Sequence, residues 1–457
     1  MRNKWNALHR LLLGLIVLSS AMTGNDGLGP YSAAPADAPE LAQLGRYEVG
    51  YRVVPFTDPE RPDLAAIAAG GGPNAPRTLD LHVWYPAKLA AGEKIEVSYT
   101  GRLPFPAGRI PEGAPTTFEF QGRAAADAAP LEGEKFPLVV VSHGYGNWPT
   151  FLSYLTENLA SKGYVVASID HRDMALSDAG AAALSFGSVL MNRAKDQRFA
   201  IDHLVALAGT DDLLGRVIDA ESIGLVGYSM GGFGVMTSAG AGYDPASTLF
   251  ARLPKELLAD VLEGTAKAPR ANLKAVVAIA PWGASAPARA WTEQAVASIK
   301  APLFFIAGDA DDVSGFDGGI EWLFESAASA DRHMLVYQNA RHNVGGNPPP
   351  PVAAEYFALQ DWFDEPVWRK DRIASINQHF VTAFLDLHLK GDKDKATFMD
   401  VSPTVAQDGV WPQQRGGNQG IAYSNGGEGG NSYWKGFQRR FALGLEMRRM
   451  AAVPNRD

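Results

Sequence analysis

The stretch Ser222-Ile-Gly-Leu-Val-Gly-Tyr-Ser-Met-Gly-Gly-Phe-Gly234 constrains this chain more than any other. An apolar run leads into Gly227-Tyr228-Ser229-Met230-Gly231, and small and apolar residues follow. The G-x-S-x-G spacing predicts a buried strand, a sharp turn and a helix, with the Ser229 hydroxyl standing out at the turn. The chain doubles back on itself there, and a Cβ at Gly227 or Gly231 would collide. The helix aims its N-terminal N–H groups at whatever sits above the serine, a place where negative charge can develop. The pattern alone arises by chance in roughly one chain in ten of this length. Ile223, Leu225 and Val226 before it, and Phe233 to Ala239 after it, supply the strand and helix that chance does not.

At 457 residues, one large α/β domain with insertions and a pair of domains are both compatible with the length. A formal charge of −9 and the lack of any Lys/Arg block argue against nucleic acid as a partner. The complete absence of cysteine removes disulfides, thiolate metal sites, a Cys nucleophile and a lipoprotein anchor together. Arg2, Lys4 and Arg10 precede the apolar run Leu11 to Leu18, and small residues follow to Gly24. This reads as a secretory signal over residues 1–24, with Ser19-Ser20-Ala21 as cleavage site, and the apolar run is short of the ~20 residues that span a bilayer. The mature protein is then expected in the periplasm or outside the cell. Residues 25–44, rich in Ala and Pro, read as a linker.

From residue 45 onward, apolar runs and amphipathic stretches alternate. Phe136 to Val141, Tyr164 to Ile169, Ala275 to Ile279, Pro302 to Ala307 and Met334 to Tyr337 are continuous apolar runs, as a parallel sheet buried on both faces requires. Thr150 to Ser161, Asp196 to Leu207, Ile320 to Ala330 and Asp371 to Lys390 carry helical periodicity. The alternation predicts an α/β fold, a mostly parallel sheet with helices on both faces, over residues 45–400. Three stretches exceed simple connections: 101–134, read as a surface insertion; 244–272, read as a small cap with a helix near Pro254 to Leu262; and 345–368. Residues 401–457 read as an extension with a Gly-rich loop (416–430) and a terminal helix.

A serine hydroxyl is a weak nucleophile at neutral pH and needs a base, which in turn needs an orienting acid. With the serine on such an elbow, the chain order is Ser, acid, His, each at the carboxyl end of a strand. Four histidines follow the acid's expected position. His333 lies at the start of a strand, and His379 and His388 lie inside a helix, so His342 is the candidate base. Asp309, Asp311 and Asp312 compete as the acid. The spacing Gly308-x-x-Asp311 favours Asp311 and leaves Asp312 open. Two backbone N–H groups are expected to face the reacting oxygen, from Met230 and from Tyr145 in His143-Gly144-Tyr145-Gly146. His143 is read as part of that loop's backbone chemistry, and His171 as a brace for a strand end. Trp148 and Trp282 follow strand ends and either line a cleft or pack in the core. No metal or cofactor is called for.

Ser142-His143-Gly144, Leu159 to Ala167 with Asp170-His171-Arg172-Asp173, the Gly227 to Gly232 elbow and Leu389-Lys390-Gly391-Asp392 recur in order, and Trp84-Tyr85-Pro86 fits with them. Together they resemble the platelet-activating-factor acetylhydrolase type of α/β-hydrolase and its bacterial relatives, over most of residues 45 to about 400. The resemblance implies the α/β-hydrolase fold and a secreted serine esterase or lipase that cleaves acyl esters through an acyl-enzyme, with Ser229, Asp311 and His342 as triad. A second likeness, through Gly227-Tyr-Ser-Met-Gly-Gly232 and Ala280-Pro281-Trp282, is to cutinase-like polyester hydrolases. The substrate expected is thus a small-molecule, lipid or polyester ester. The three insertions exceed a minimal hydrolase, so pocket shape does not carry over. Dienelactone hydrolases share the fold but use a Cys that this chain lacks. The rivals are an amidase, peptidase or acyltransferase on the same triad, and a non-catalytic binding protein of the same fold.

Overall fold

The computed structural model describes residues 34–453 except 64–65, 68–69, 71–74, 106–109, 174–178, 211, 252, 254, 266, 411–412, 417–421, 426–431 and 439. The expected signal segment and most of the expected Gly-rich loop fall outside the described residues. Among the described residues, no helix is long and apolar enough to cross a membrane.

Strands β1 (Glu48–Pro62) and β2 (Pro76–Lys88) form a long antiparallel pair. Next come β3 (Val97–Arg102), β4 (Thr117–Gly122), and two short strands, β5 (Ala125–Ala126) and β6 (Ala129–Pro130). The regular alternation starts at β7 (Phe136–Ser142), followed by α1 (Ser153–Ser161), β8 (Val165–Ile169), α2 (Ala179–Leu207), β9 (Ile218–Tyr228) and α3 (Met230–Ser238). Beyond these lie α4 (Lys255–Thr265), β10 (Leu273–Ile279), α5 (Glu293–Ala297), β11 (Leu303–Gly308), α6 (Glu321–Ser326) and β12 (Arg332–Tyr337). The chain continues through α7 (Phe357–Phe363), α8 (Lys370–Leu389), α9 (Ala396–Met399), β13 (Gln413–Gly416), β14 (Ala422–Asn425) and β15 (Leu445–Met450).

One sheet takes the order β15-β12-β11-β10-β9-β7-β8-β2-β1-β5, with β6 on β2. From β8 across to β12 every neighbour is parallel. β2 joins antiparallel to β8, and β15 antiparallel to β12. An antiparallel lead-in, the strand exchange at β7/β8 and a serine elbow after β9 define the α/β-hydrolase fold. The central strands carry Val, Ile, Leu and Phe on both faces because helices cover both sides. Val139, Val140, Leu225, Val276 and Phe304 are fully buried, each worth about 1.5–3 kcal/mol of transfer free energy.

Four expectations change. Residues 34–44 do not run free as a linker: Leu41 N–H donates to His379 Nδ1 (3.0 Å), Glu40 N–H donates to Gly436 O (2.9 Å), and Ala42 is buried. Stretch 101–134 does not lie wholly over the surface: β4 within it pairs with β3 from Val97↔Gly122 to Arg102↔Thr117, and Leu103, Phe105, Ala124 and Ala128 are buried. Helix α4 exists in stretch 244–272, but it packs on α2 rather than over the serine. The terminal helix is instead β15, which extends the sheet beyond residue 400. Leu445 and Met447 face the core while Glu446 and Arg448 are half-buried, a period of two.

The β3–β4 hairpin is tied down by a buried chain of hydrogen bonds. Trp84 Nε1–H donates to the Tyr99 hydroxyl (2.7 Å), which donates to Glu157 Oε1 (2.7 Å) on α1; the Arg123 N–H reaches the same oxygen (2.9 Å). Burial raises the Glu157 carboxyl to about 7, against the pull of these donors. An acid raised on folding contributes stability that is complete below its unfolded pKa and is lost as pH rises through the folded value. Between about pH 4.5 and 7 this acid by itself lowers stability as pH rises, so the thermal midpoint of Glu157→Gln should gain on that of the wild type across this window, measured as the difference between the two at each pH.

Candidate active site

The site is built where three loops leave the carboxyl ends of β9, β11 and β12. Ser229 sits at φ 53°, ψ −112°, between β9 and α3. A non-glycine residue there stores about 1–3 kcal/mol of strain, so its surroundings must hold it. They do so by backbone contact. Ser229 N–H donates to Ile279 O (2.9 Å), and Trp282 N–H donates to Ser229 O (3.1 Å). A Cβ on Gly227 would lie 2.3 Å from Gly231 O, and one on Gly231 would lie 1.9 Å from Ser142 O.

His342 follows β12. Its Nε2 stands 3.0 Å from Ser229 Oγ, and its Nδ1 stands 2.9 Å from Asp311 Oδ2 and 3.1 Å from Oδ1. With Nδ1–H donated to the carboxylate, the Nε2 lone pair is left to accept the serine proton. Asp311 Oδ1 also accepts the amides of Val313 (2.9 Å) and Ser314 (2.8 Å). Burial pushes the Asp311 carboxyl up, but His342 and these two amides outweigh it and hold the group below the usual carboxylate range. The other two carboxylates go elsewhere. Asp312 pairs with Arg341 (2.6 Å), and Asp309 accepts the Asn339 amide (2.6 Å). The two loops touch backbone to backbone, since a Cβ at Gly308 would lie 2.2 Å from Ala340 O.

A cavity of about 590 Å³ opens above Ser229, and Tyr145, Met230 and Trp282 line it. Phe186 of α2 joins Tyr145 (5.7 Å) and Trp282 (5.6 Å) in edge-to-face contact, giving one aromatic wall. Phe357 and Trp362 of α7 line the cavity as well. Trp148 is not part of the lining. It is buried among Phe118 (5.7 Å), Phe151 (5.0 Å) and Phe363 (6.1 Å), so core packing claims it. Phe186 had no sequence signal beyond its place in an Ala- and Ser-rich run.

Two more residues escaped the sequence. Glu365 straddles His342, accepting the amides of Arg341 (2.7 Å) and Asn343 (2.6 Å). Lys370 donates to the Asn343 carbonyl, and burial lowers its ammonium to about 8 despite the neighbouring Glu365 and Asp364. Their partners are main-chain atoms, which leave no motif. His143 is fully buried and donates Nδ1–H to Gly144 O (2.7 Å). His171 bridges Asp196 (2.9 Å) and Ser142 Oγ (2.7 Å), bracing the end of β7. Among the described residues, no group of three His, Cys, Asp or Glu side chains could hold a metal ion.

Comparison with known proteins adds to this geometry. A family model described as platelet-activating factor acetylhydrolase, isoform II, matches residues 120–185, from β4 through the 143–146 loop into α2. The cutinase est1 of Thermobifida alba is 23% identical over 214 residues, 47% of this chain and 55% of the cutinase. The platelet-activating factor acetylhydrolase of Gallus gallus is 44% identical over 54 residues, 12% of this chain and 13% of that one. A ferulic acid esterase from Streptomyces cinnamoneus superposes with a TM-score of 0.49 at 21% identity, over 78% of this chain and 94% of its own. The chain thus spans about half the length of the cutinase and a small part of the acetylhydrolase. It is similar to serine esterases of the acetylhydrolase and cutinase type.

The contact at Gly231 makes a sharp prediction. Gly231→Ala should lower unfolding stability by about 3 kcal/mol or more, because Ser142 O is backbone and cannot step aside. Denaturant unfolding followed by tryptophan fluorescence measures it.

Proposed function

We propose that the protein is an exported carboxylic ester hydrolase that works through an acyl-enzyme on Ser229. The observation that carries this reading is the hydrogen-bonded series Asp311–His342–Ser229 beneath an apolar cavity. Ser229 Oγ attacks the ester carbonyl carbon, and its proton passes to His342 Nε2. Asp311 fixes the imidazole tautomer and stabilises the imidazolium. The carbonyl electron pair collects on oxygen, facing the N–H groups of Tyr145 and Met230. As the tetrahedral species collapses, the C–O bond to the alcohol breaks and that oxygen takes the proton from His342. Water then repeats the sequence: it gives a proton to His342, bonds to the acyl carbon and frees Ser229, which recovers its proton.

The likeness to acetylhydrolases supports lipid or short acyl esters as substrates. The aromatic wall of Trp282, Phe186 and Tyr145, together with the cutinase likeness, favours a second reading, cleavage of polyester or other aromatic esters. A chain-length series of p-nitrophenyl esters, run beside a phospholipid and a polyester film, separates the two. Export is supported by the basic and apolar residues at 1–24.

A fluorophosphonate probe should label the wild type and not Ser229→Ala. That variant should lose several decades in kcat, keeping roughly 10³–10⁴ over water from binding and the oxyanion donors. Ordinary turnover by Ser229→Ala would remove the proposal. Absence of both labelling and turnover in the wild type would leave a binding protein of the same fold. The two neighbouring acids should part company. Asp311→Asn should lower kcat about 10⁴-fold by inverting the imidazole tautomer. Asp312→Asn, which loses only a half-exposed ion pair, should stay within about fivefold.

A further inference from the structure

Helix α2 carries three buried polar side chains within one turn, Arg193, Asp196 and Gln197. Spacings of three and four residues put them on one face. Each reaches a different element beneath the oxyanion site. Arg193 Nη2–H donates to Asp173 Oδ2 (2.7 Å), and the same carboxylate oxygen accepts the Gly146 amide (3.0 Å), next to Tyr145 in the chain. Asp196 accepts Arg77 on both oxygens (2.8 and 2.7 Å) and His171 Nδ1–H (2.9 Å), and His171 Nε2 accepts from Ser142 Oγ (2.7 Å). Gln197 Nε2–H donates to Gly231 O (3.1 Å), the carbonyl one residue after Met230, and its Oε1 accepts from Ser238 Oγ (2.8 Å).

Both sides of the site thus answer to one helix: the Tyr145 loop through Asp173, and the Met230 turn through Gln197. The packing that permits this is close. A Cβ at Gly234 on α3 would lie 2.4 Å from Gln197 Nε2 and 2.7 Å from Arg193 Cγ. Stability alone is a poor account of Arg193. Its side chain is fully buried, and its Nε and Nη1 have no hydrogen-bond partner among the described residues. Burying such a cation costs more than a well-packed apolar residue would.

We infer that Arg193, acting through Asp173, and Gln197 are positioning residues that set the spacing and aim of the Tyr145 and Met230 N–H groups. The inference rests on the acyl-enzyme reading above. Because residues 193 and 197 stand one helical turn apart, the two donors inherit a fixed separation from α2, not from the loops that carry them. An oxyanion donor displaced by about 1 Å costs up to about 10²-fold in rate.

The test compares Asp173→Ala, Asp173→Asn and Gln197→Met with the wild type. Each is measured for kcat and KM on one short-chain p-nitrophenyl ester, for affinity toward a trifluoromethyl ketone that forms a tetrahedral adduct on Ser229, and for thermal midpoint. Asp173→Ala and Gln197→Met should lower kcat about 10- to 100-fold while KM moves less than about threefold, and should weaken the ketone by the same factor as kcat. Asp173→Asn keeps an acceptor for the Gly146 amide and should recover most of the loss. A folded variant with unchanged kcat overturns the inference. So does a loss of kcat that leaves ketone affinity untouched, the mark of a merely structural role. If Asp173→Ala does not fold, the neutral and similarly sized Gln197→Met decides alone. Failure of the acyl-enzyme reading looks different: Ser229→Ala would turn over the ester normally, and the ketone would not bind the wild type.

Discussion

The site depends on backbones that approach one another more closely than any side chain allows. Gly231 lies against Ser142, Gly227 against Gly231, and Gly308 against Ala340. These contacts fix where β7, β9, β11 and β12 end relative to one another, and the chemistry-bearing residues ride on those ends. The strain at Ser229 persists because its N–H is held by the Ile279 carbonyl and its carbonyl by the Trp282 N–H, which leave the serine no other place to go. A loop carrying the same residues without these contacts would not hold an imidazole within hydrogen-bonding distance of both a hydroxyl and a carboxylate.

A layer of buried polar groups lies under that backbone frame, and it serves orientation. Asp311 spends its remaining acceptor capacity on two amides of its own turn, which leaves it little freedom to swing away from His342. Glu365 grips the main chain on both sides of the imidazole, and Asp196 ties β2 and the end of β7 to α2. Burial and the nearby Arg193 charge lower His171 to about 3, so it acts at neutral pH as a hydrogen-bonding strut without charge. Such networks hold shape only when nearly every member is satisfied, which is why they are assembled from residues far apart in the chain.

What the sequence makes legible follows from how strongly each feature is forced. Strands β7 to β12 are buried on both faces and must be apolar throughout, so their runs stand out. The elbow needs its glycines, and His342 is the one candidate histidine placed after a strand. Asp311 and Asp312 differ in direction rather than in type, and only three-dimensional contact separates them. Ile95 to Thr100 reads as a strand and is found as β3, whereas its partner β4 is masked by the surrounding Pro and Gly, although Phe118 and Phe120 already show the alternation of a half-buried strand. The docking of residues 34–44 onto α8 is invisible, because partners such as His379 and Gly436 lie hundreds of positions away. Glu365, Lys370 and Phe186 are missed for a related reason: their roles rest on main-chain and edge-to-face contacts that no spacing encodes.

The antiparallel pairing of β15 with β12 has a consequence for biogenesis. The strand that delivers His342 has β11 on one side and receives its other neighbour only when residues 445–450 have been made. Until then β12 is a bare sheet margin, open to pairing with another chain. During vectorial synthesis the elbow emerges more than two hundred residues before that margin is covered. The hydroxyl is therefore present long before the strand that carries its partner is locked into the sheet, and the pairing of nucleophile and base waits on the last residues of that sheet.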